Sequence, residues 1–309
     1  MKNAAFIFLV IFFLGCFEKD IERKTFNKNG LKDDVKILKG IVADMHAGAY
    51  AYNTPQELNA TFDSVSNSII DKLSVRDFYK KIDFLIDKLR CIHTAAYLPT
   101  DFYDTVSKKD QFFPVPVVLL NDKLYSNTIT NYIPLGAEIL YINDYSANYI
   151  INQLKKYEHT DGYSNVARNN AIDSYFAYNF YLEYGGFKKF KIQYMADSSE
   201  TSITEYLNAD NLERINTSDI YTAYSAIPKE VNYDMQMLNK GKTALFYIRT
   251  FHLSSNNEKN AFYHFLENSF ALIKRDDTKN VIIDCRENGG GFYDMTFSFL
   301  SYLVNETLP

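Results

Sequence analysis

The sequence predicts a mixed α+β to α/β protein. A helical part comes first, a region of short strands broken by helices follows, and a strand–helix–strand unit comes last. Three observations predict this. Apolar residues recur at a spacing of three to four between Lys32 and Arg90. After Pro99, short runs rich in Val, Ile and Leu are closed by Asn-Asp pairs. Near the C-terminus, two apolar runs ending at Ile248 and Cys285 flank one amphipathic helix. With 309 residues, 47% of them hydrophobic and 23% charged, the chain can fill more than one core and is not disordered as a whole.

The elements follow in order. Lys2, an apolar run from Ala4 to Gly15, Cys16 and the charged Glu18-Lys19-Asp20 are the parts of an export signal. The run is too short to span a bilayer comfortably as a helix, which takes about 20 apolar residues. Leu14-Gly15-Cys16 resembles the lipobox of bacterial lipoproteins, although Phe13 stands where Leu is commoner. The resemblance implies a signal peptide over 1–15 and lipidation of Cys16. The protein would then be an exported bacterial lipoprotein, membrane-anchored through its lipid and periplasmic or cell-surface. A plain signal peptide with an incidental cysteine is the alternative. Residues 16–32, polar and rich in basic side chains, read as a tether.

A helical domain is expected over 33–105. Phe78, Ile82, Leu85 and Leu89 continue its stripe, Thr54 and Ser74 stand at N-cap positions, and Pro55 suits a first helical turn. Over 106–235, strands are expected at Pro114–Leu120, before a turn at Asn121-Asp122, and at Glu138–Ile142, before Asn143-Asp144. Ser146 can cap a short helix carrying Ile150, Ile151 and Leu154. Residues 164–184 read as a helix ended by Gly185-Gly186, and Phe190, Ile192 and Tyr194 alternate as a half-buried strand. Residues 196–240 show no clear period.

The segment 236–309 carries a strand over Ala244–Ile248, a helix presenting Phe262, Phe265, Leu266, Phe270 and Ile273, and an apolar strand over Val281–Cys285. Asn288-Gly289-Gly290-Gly291 follows, then a helix from about Asp294 with Phe297, Leu300 and Val304 expected to face inward. Cys285, in an apolar strand, is expected to be a buried free thiol.

Composition narrows function. A net charge of −5 and a pI near 5.6 argue against a general nucleic-acid binder, which needs a basic face. The 25 Tyr and 24 Phe read mainly as core, and three cysteines do not make a disulfide scaffold. His46, His93, His159, His252 and His264 show no metal-ligand spacing, so no metal and no cofactor are expected, and His264 reads as a packing residue. The glycine turn lets backbone N–H groups approach an anion in front of a helix N-terminus. It lacks a P-loop lysine and does not fit G-x-G-x-x-G, which leaves an oxyanion hole or a plain tight turn.

The run Val281-Ile282-Ile283-Asp284-Cys285-Arg286-Glu287-Asn288-Gly289-Gly290-Gly291 resembles the I-I-D-L-R-x-N-x-G-G signature of the tail-specific, or C-terminal processing, serine peptidases. Phe246-Tyr247-Ile248-Arg249 is similar to that family's Y-I-R-I strand. Pro134 to Asp144 is similar to the G-x-x-I-L-x-I-N-G segment of its PDZ-like domain, with Asp144 in place of Gly. Ile92-His93-Thr94 with Leu98-Pro99 resembles the family's D-x-H-T/S element, with Cys91 where the acidic residue stands. The resemblance spans roughly residues 40–309.

It implies a helical domain, a PDZ-like domain with a helical insertion (106–235), and the first part of a crotonase-like α/β core (236–309). It implies serine-type peptidase activity on a polypeptide substrate or a peptide C-terminus. Gly290 and Gly291 are then oxyanion-hole candidates, Asp284, Arg286 and Asn288 brace the turn, and Gly136, Ile139 and Ile142 are peptide-binding candidates. The family's Ser nucleophile and Lys base follow the glycine motif. They are therefore expected beyond Pro309, with the 309 residues the N-terminal portion of a longer peptidase and inactive alone. The rival expectation is a non-catalytic, lipid-anchored peptide-binding lipoprotein.

Overall fold

Short polar side chains start each helix of the N-terminal part. In the computed structural model, which describes residues 21–128, 133–196, 201–216, 231–286 and 288–304, helix α1 (Lys28–Met45) is capped by Asn27, whose side chain accepts the Gly30 N–H at 2.8 Å. Helix α2 (Pro55–Asn67) opens with a capping box. Thr54 Oγ1 accepts the Glu57 N–H at 3.2 Å, and Glu57 Oε2 accepts the Thr54 N–H at 2.8 Å. Helix α3 (Val75–Asp87) is capped by Ser74. Leu31, Val35, Leu58, Phe62, Ile69 and Leu85 close the core between them. The expected signal peptide and Cys16 lie outside the described residues.

Part of the segment expected as a tether is built into this core. Thr25–Phe26 (β1) pairs antiparallel with Leu73–Ser74 (β2), and Leu31 is buried. Glu22 accepts the Tyr181 hydroxyl at 2.6 Å and Lys109 Nζ at 2.5 Å. Its basic residues hid this reading, because the apolar side chains that anchor the segment are spaced too far apart to make a period.

The protein is α+β, with nine α-helices and three sheets among the described residues. The chain divides into two units, Met1–Tyr221 and Thr222–Pro309. In the first, helix α4 (Thr100–Val106) leads to β3 (Val117–Leu120), β4 (Lys123–Ser126), β5 (Glu138–Ile142) and β6 (Tyr145–Ser146). Helices α5 (Ala147–Leu154) and α6 (Val166–Tyr184) follow, then β7 (Lys189–Met195), β8 (Ile203–Asn208) and helix α7 (Leu212–Asn216).

The sheet runs β3-β4-β5-β7-β8, all antiparallel, with β6 paired to β5. Asn121 (φ 51°) and Asp122 (φ 59°) form the two-residue turn between β3 and β4, where two positive φ values match the strand twist. The sheet's core is aromatic. Phe113 lies 5.2 Å from Phe176 and 5.4 Å from Phe190, edge to face, the favoured geometry for such pairs.

Helix α3 joins the helical part to the sheet part. Lys80 Nζ donates to the Glu183 carbonyl at 3.0 Å, and buried His159 meets buried Asp83 at 3.1 Å. Glu183 at the end of α6 also takes Lys156 (2.9 Å) and the Tyr157 hydroxyl (2.7 Å). Burial works against its charge, but Lys156, Tyr157 and Lys80 together hold its carboxyl below the usual range.

The second unit holds β9 (Tyr233–Leu238), β10 (Thr243–Ile248), helix α8 (Asn256–Arg275), β11 (Asn280–Asp284) and helix α9 (Tyr293–Ser301). Strand β10 is central. It pairs parallel with β11, completing the expected strand–helix–strand unit, and antiparallel with β9, which had no sequence signal. Strand β11 is an edge of this sheet, and Val281 (38% exposed), Ile282 (49%) and Ile283 (41%) are open to solvent.

Three side-chain expectations in this unit are corrected. Helix α9 buries Met295 and Phe299, whereas Phe297 and Val304 are exposed; with apolar residues all round so short a helix, its period does not select a face. Cys285 is exposed rather than buried, because the strand ends at Asp284. His264 lies on the outer face of α8, 3.7 Å from Glu267 one turn on, and does not pack inward.

Candidate functional site

The glycine turn is set by Asn288. Its Nδ2 donates to the Ile248 carbonyl at the end of β10 (2.8 Å), and its Oδ1 accepts the Gly290 N–H (2.7 Å). The turn is thereby fastened to the parallel strand pair. Gly290 and Gly291 adopt φ of 86° and 142°, conformations that favour glycine. A Cβ on Gly291 would stand 2.1 Å from backbone atoms of Phe251 and His252, so only glycine fits.

Gly291 forms a parallel bridge with Phe251. The Phe251 N–H donates to the Gly290 carbonyl (2.8 Å), and the Phe292 N–H donates to the Phe251 carbonyl (3.0 Å). In this pattern Gly291's own N–H and C=O point to the opposite side, away from Phe251. The two oxyanion-hole candidates thus differ: the Gly290 N–H is engaged by Asn288, and the Gly291 N–H is turned outward.

Asp284 and Arg286 are bonded to each other where β11 ends. Asp284 accepts the Arg286 N–H (3.0 Å) and its guanidinium (2.9 Å), and the guanidinium holds the Asp284 carboxyl below the usual carboxylate range. Partial desolvation of the sulfur in this exposed residue, then the neighbouring Asp284 charge, pushes the Cys285 thiol up, away from the thiolate. On the far side, His252 stacks on Phe292 (5.1 Å between ring centres), and Lys259 Nζ lies 4.5 Å above the same ring and 3.4 Å from Asp294. Ser298 Oγ donates to the Asp294 carbonyl within α9, as an ordinary helix serine does.

The peptide-binding candidates are placed differently. Ile139 and Ile142 are fully buried on β5, a strand hydrogen-bonded on both sides, so neither can line an open groove. Gly136 is exposed at φ 77° in the turn before β5 and is not brought to a groove with them. The sheet's outer strands are β3 and β8. At β3, Asp173 Oδ1 on α6 accepts the outward Leu119 N–H at 2.7 Å. Strand β8 is exposed along most of its length, with Tyr206 60% accessible. A cavity of about 530 Å³ opens beside β3, where α6 departs from helical geometry at Tyr175, and is lined by Val117, Asp173, Tyr175, Phe176 and Leu212.

One constellation had no sequence signal. Cys91 and His93 meet Asp161, some 70 residues along the chain, with their ligand atoms within 4.8 Å of one another. Spacing along the sequence does not report such a pair of loops. No described helix is long and apolar enough to cross a membrane. No protein-family model matches the chain, and no curated protein matches it.

Proposed function

We propose that this chain is the non-nucleophilic part of a serine-type peptidase of the tail-specific kind. The single observation that carries this reading is the outward Gly291 N–H, held in place by the Asn288 clamp. A preorganised backbone donor at a strand–helix turn is what the tetrahedral intermediate of acyl transfer requires. The oxyanion contact is assigned to Gly291 rather than Gly290. Within this reading Asp284 and Arg286, bonded to each other ahead of the turn, are its bracing residues. In the family resembled, the nucleophilic serine and its lysine base follow the glycine motif, and neither role is assigned to a described residue.

Within the same reading, the antiparallel sheet is the peptide-binding element and is PDZ-like in role. An extended peptide would add to β8, the outer strand with an exposed edge. Anchorage through Cys16 to a bacterial membrane completes the proposal. A non-catalytic, lipid-anchored peptide binder would use the same edge but would have no use for the glycine turn.

The test is peptide cleavage by the protein purified from its natural reading frame. Cleavage that falls about 10²–10³-fold in Asn288→Ala, with the second unit still folded and the peptide still bound, supports the peptidase. Peptide binding with no cleavage supports the binder.

A further inference from the structure

We propose that Cys91, His93 and Asp161 form a binding site for a borderline divalent cation of the zinc class. The inference stands on the first unit alone and does not depend on the proposed peptidase function. The three residues offer one thiol sulfur, one imidazole nitrogen and one carboxylate oxygen, all within 4.8 Å of one another. Ligand atoms around tetrahedral zinc, with metal bonds of about 2.0–2.3 Å, are separated by less than this, so small side-chain rotations close the set. Mixed sulfur, nitrogen and oxygen donors select zinc over magnesium or calcium, which take oxygen alone. Three protein ligands leave a fourth position for water, the arrangement of an exchangeable rather than a closed structural site.

The loops that carry the ligands are already fixed against each other. Arg90 and Gly162 exchange two hydrogen bonds, Gly162 N–H to the Arg90 carbonyl (3.0 Å) and Arg90 guanidinium to the Gly162 carbonyl (3.3 Å). Asp161 Oδ1 accepts the Ile92 N–H at 2.9 Å, which aims its carboxylate between Cys91 and His93. The Arg90 guanidinium also lies 4.0 Å over the Tyr163 ring. The 91–94 turn closes through Thr94 N–H to the Cys91 carbonyl (3.2 Å). His46 holds it from behind: its Nδ1 accepts the Gly48 N–H (3.2 Å), so the proton sits on Nε2 and is donated to Thr94 Oγ1 (2.9 Å). Little backbone ordering is left for the metal to impose. Binding replaces the Cys91 S–H bond by a sulfur–metal bond and releases that proton to the buffer.

The experiment titrates the full chain, kept reduced, with cobalt(II) and then zinc(II). The expected result is a thiolate-to-cobalt absorption band that saturates at one equivalent. About one proton is released per metal bound, and zinc displaces the band. Cys91→Ser abolishes the band, Cys285→Ser leaves it intact, and His93→Ala and Asp161→Asn weaken affinity by at least about 10-fold. Asp161→Asn retains an acceptor for the Ile92 N–H, so its loss of affinity is not a loss of fold. The proposal is overturned if wild-type protein gives no band, if the band survives Cys91→Ser, or if Asp161→Asn and His93→Ala both bind zinc with wild-type affinity.

Discussion

Asn288 Nδ2 donates to the Ile248 carbonyl across 2.8 Å, tying the glycine turn to the end of strand β10, 40 residues earlier in the chain. The same side chain accepts the Gly290 N–H, so one amide sets both ends of the turn. Replacing it tests how far the turn depends on it. Asn288→Ala is expected to destabilise the second unit by about 1–3 kcal/mol, because two polar backbone groups lose their partner. Asn288→Asp keeps the acceptor for Gly290 but sets a carboxylate oxygen against the Ile248 carbonyl, and should cost at least as much. Urea unfolding followed by the hydrogen exchange of Phe251 and Gly290 amides measures both.

The three glycines are not equivalent. Gly291→Ala forces a Cβ to within 2.1 Å of the Phe251–His252 backbone, whereas a Cβ on Gly289 meets nothing within 4 Å. Gly291→Ala should lower the unfolding midpoint of the second unit by several degrees, and Gly289→Ala should leave it unchanged. Thermal unfolding of the two variants side by side decides this.

Asp83 and His159 are both buried and meet at 3.1 Å in the join between the helical and sheet parts. Asp83→Ala leaves a buried imidazole without its partner and is expected to cost about 1–3 kcal/mol. Denaturant midpoints of Asp83→Ala and of the Asp83→Ala/His159→Leu pair test the cause, since the second change should recover part of the loss.

Two carboxylates give opposite pH dependences. Burial pushes Asp173 up to about 6, against the lowering effect of the Leu119 N–H. A carboxyl raised on folding contributes stability at low pH, and loses it as pH climbs from about 4 through 6. Glu183, held low by Lys156, Tyr157 and Lys80, contributes above its unfolded pKa and loses its contribution as pH falls through the lowered value. Unfolding free energies between pH 3 and 7 should therefore fall less steeply with rising pH in Asp173→Asn, and less steeply with falling pH in Glu183→Gln.

Much of the fold was legible because it is encoded locally. Thr54, Ser74 and Ser146 cap the helices they were expected to cap, and Asn121-Asp122 turns where two positive φ values are needed. The strand–helix–strand unit followed from two apolar runs and one stripe. What stayed hidden depends on neighbours distant in sequence. The burial of Ile139 and Ile142 is set by the core they share with Ile150, Ile151 and Leu154 of α5, and the exposure of Val281–Ile283 by an edge position that apolar composition does not reveal. In the candidate site, the glycine run and Asn288 were readable as a motif. Which N–H faces outward was not, because it is fixed by the bridge to Phe251. The meeting of Cys91 and His93 with Asp161 needed the loop contact between Arg90 and Gly162.

The central claim is that the outward Gly291 N–H stabilises an oxyanion. The most direct measurement is kcat for peptide cleavage by the protein from its natural reading frame, compared between wild type, Gly289→Ala and Asn288→Ala. The account predicts wild-type turnover in Gly289→Ala and a fall of about 10²–10³-fold in Asn288→Ala with KM little changed. Equal turnover in all three proteins, or no cleavage by the wild type, would contradict it.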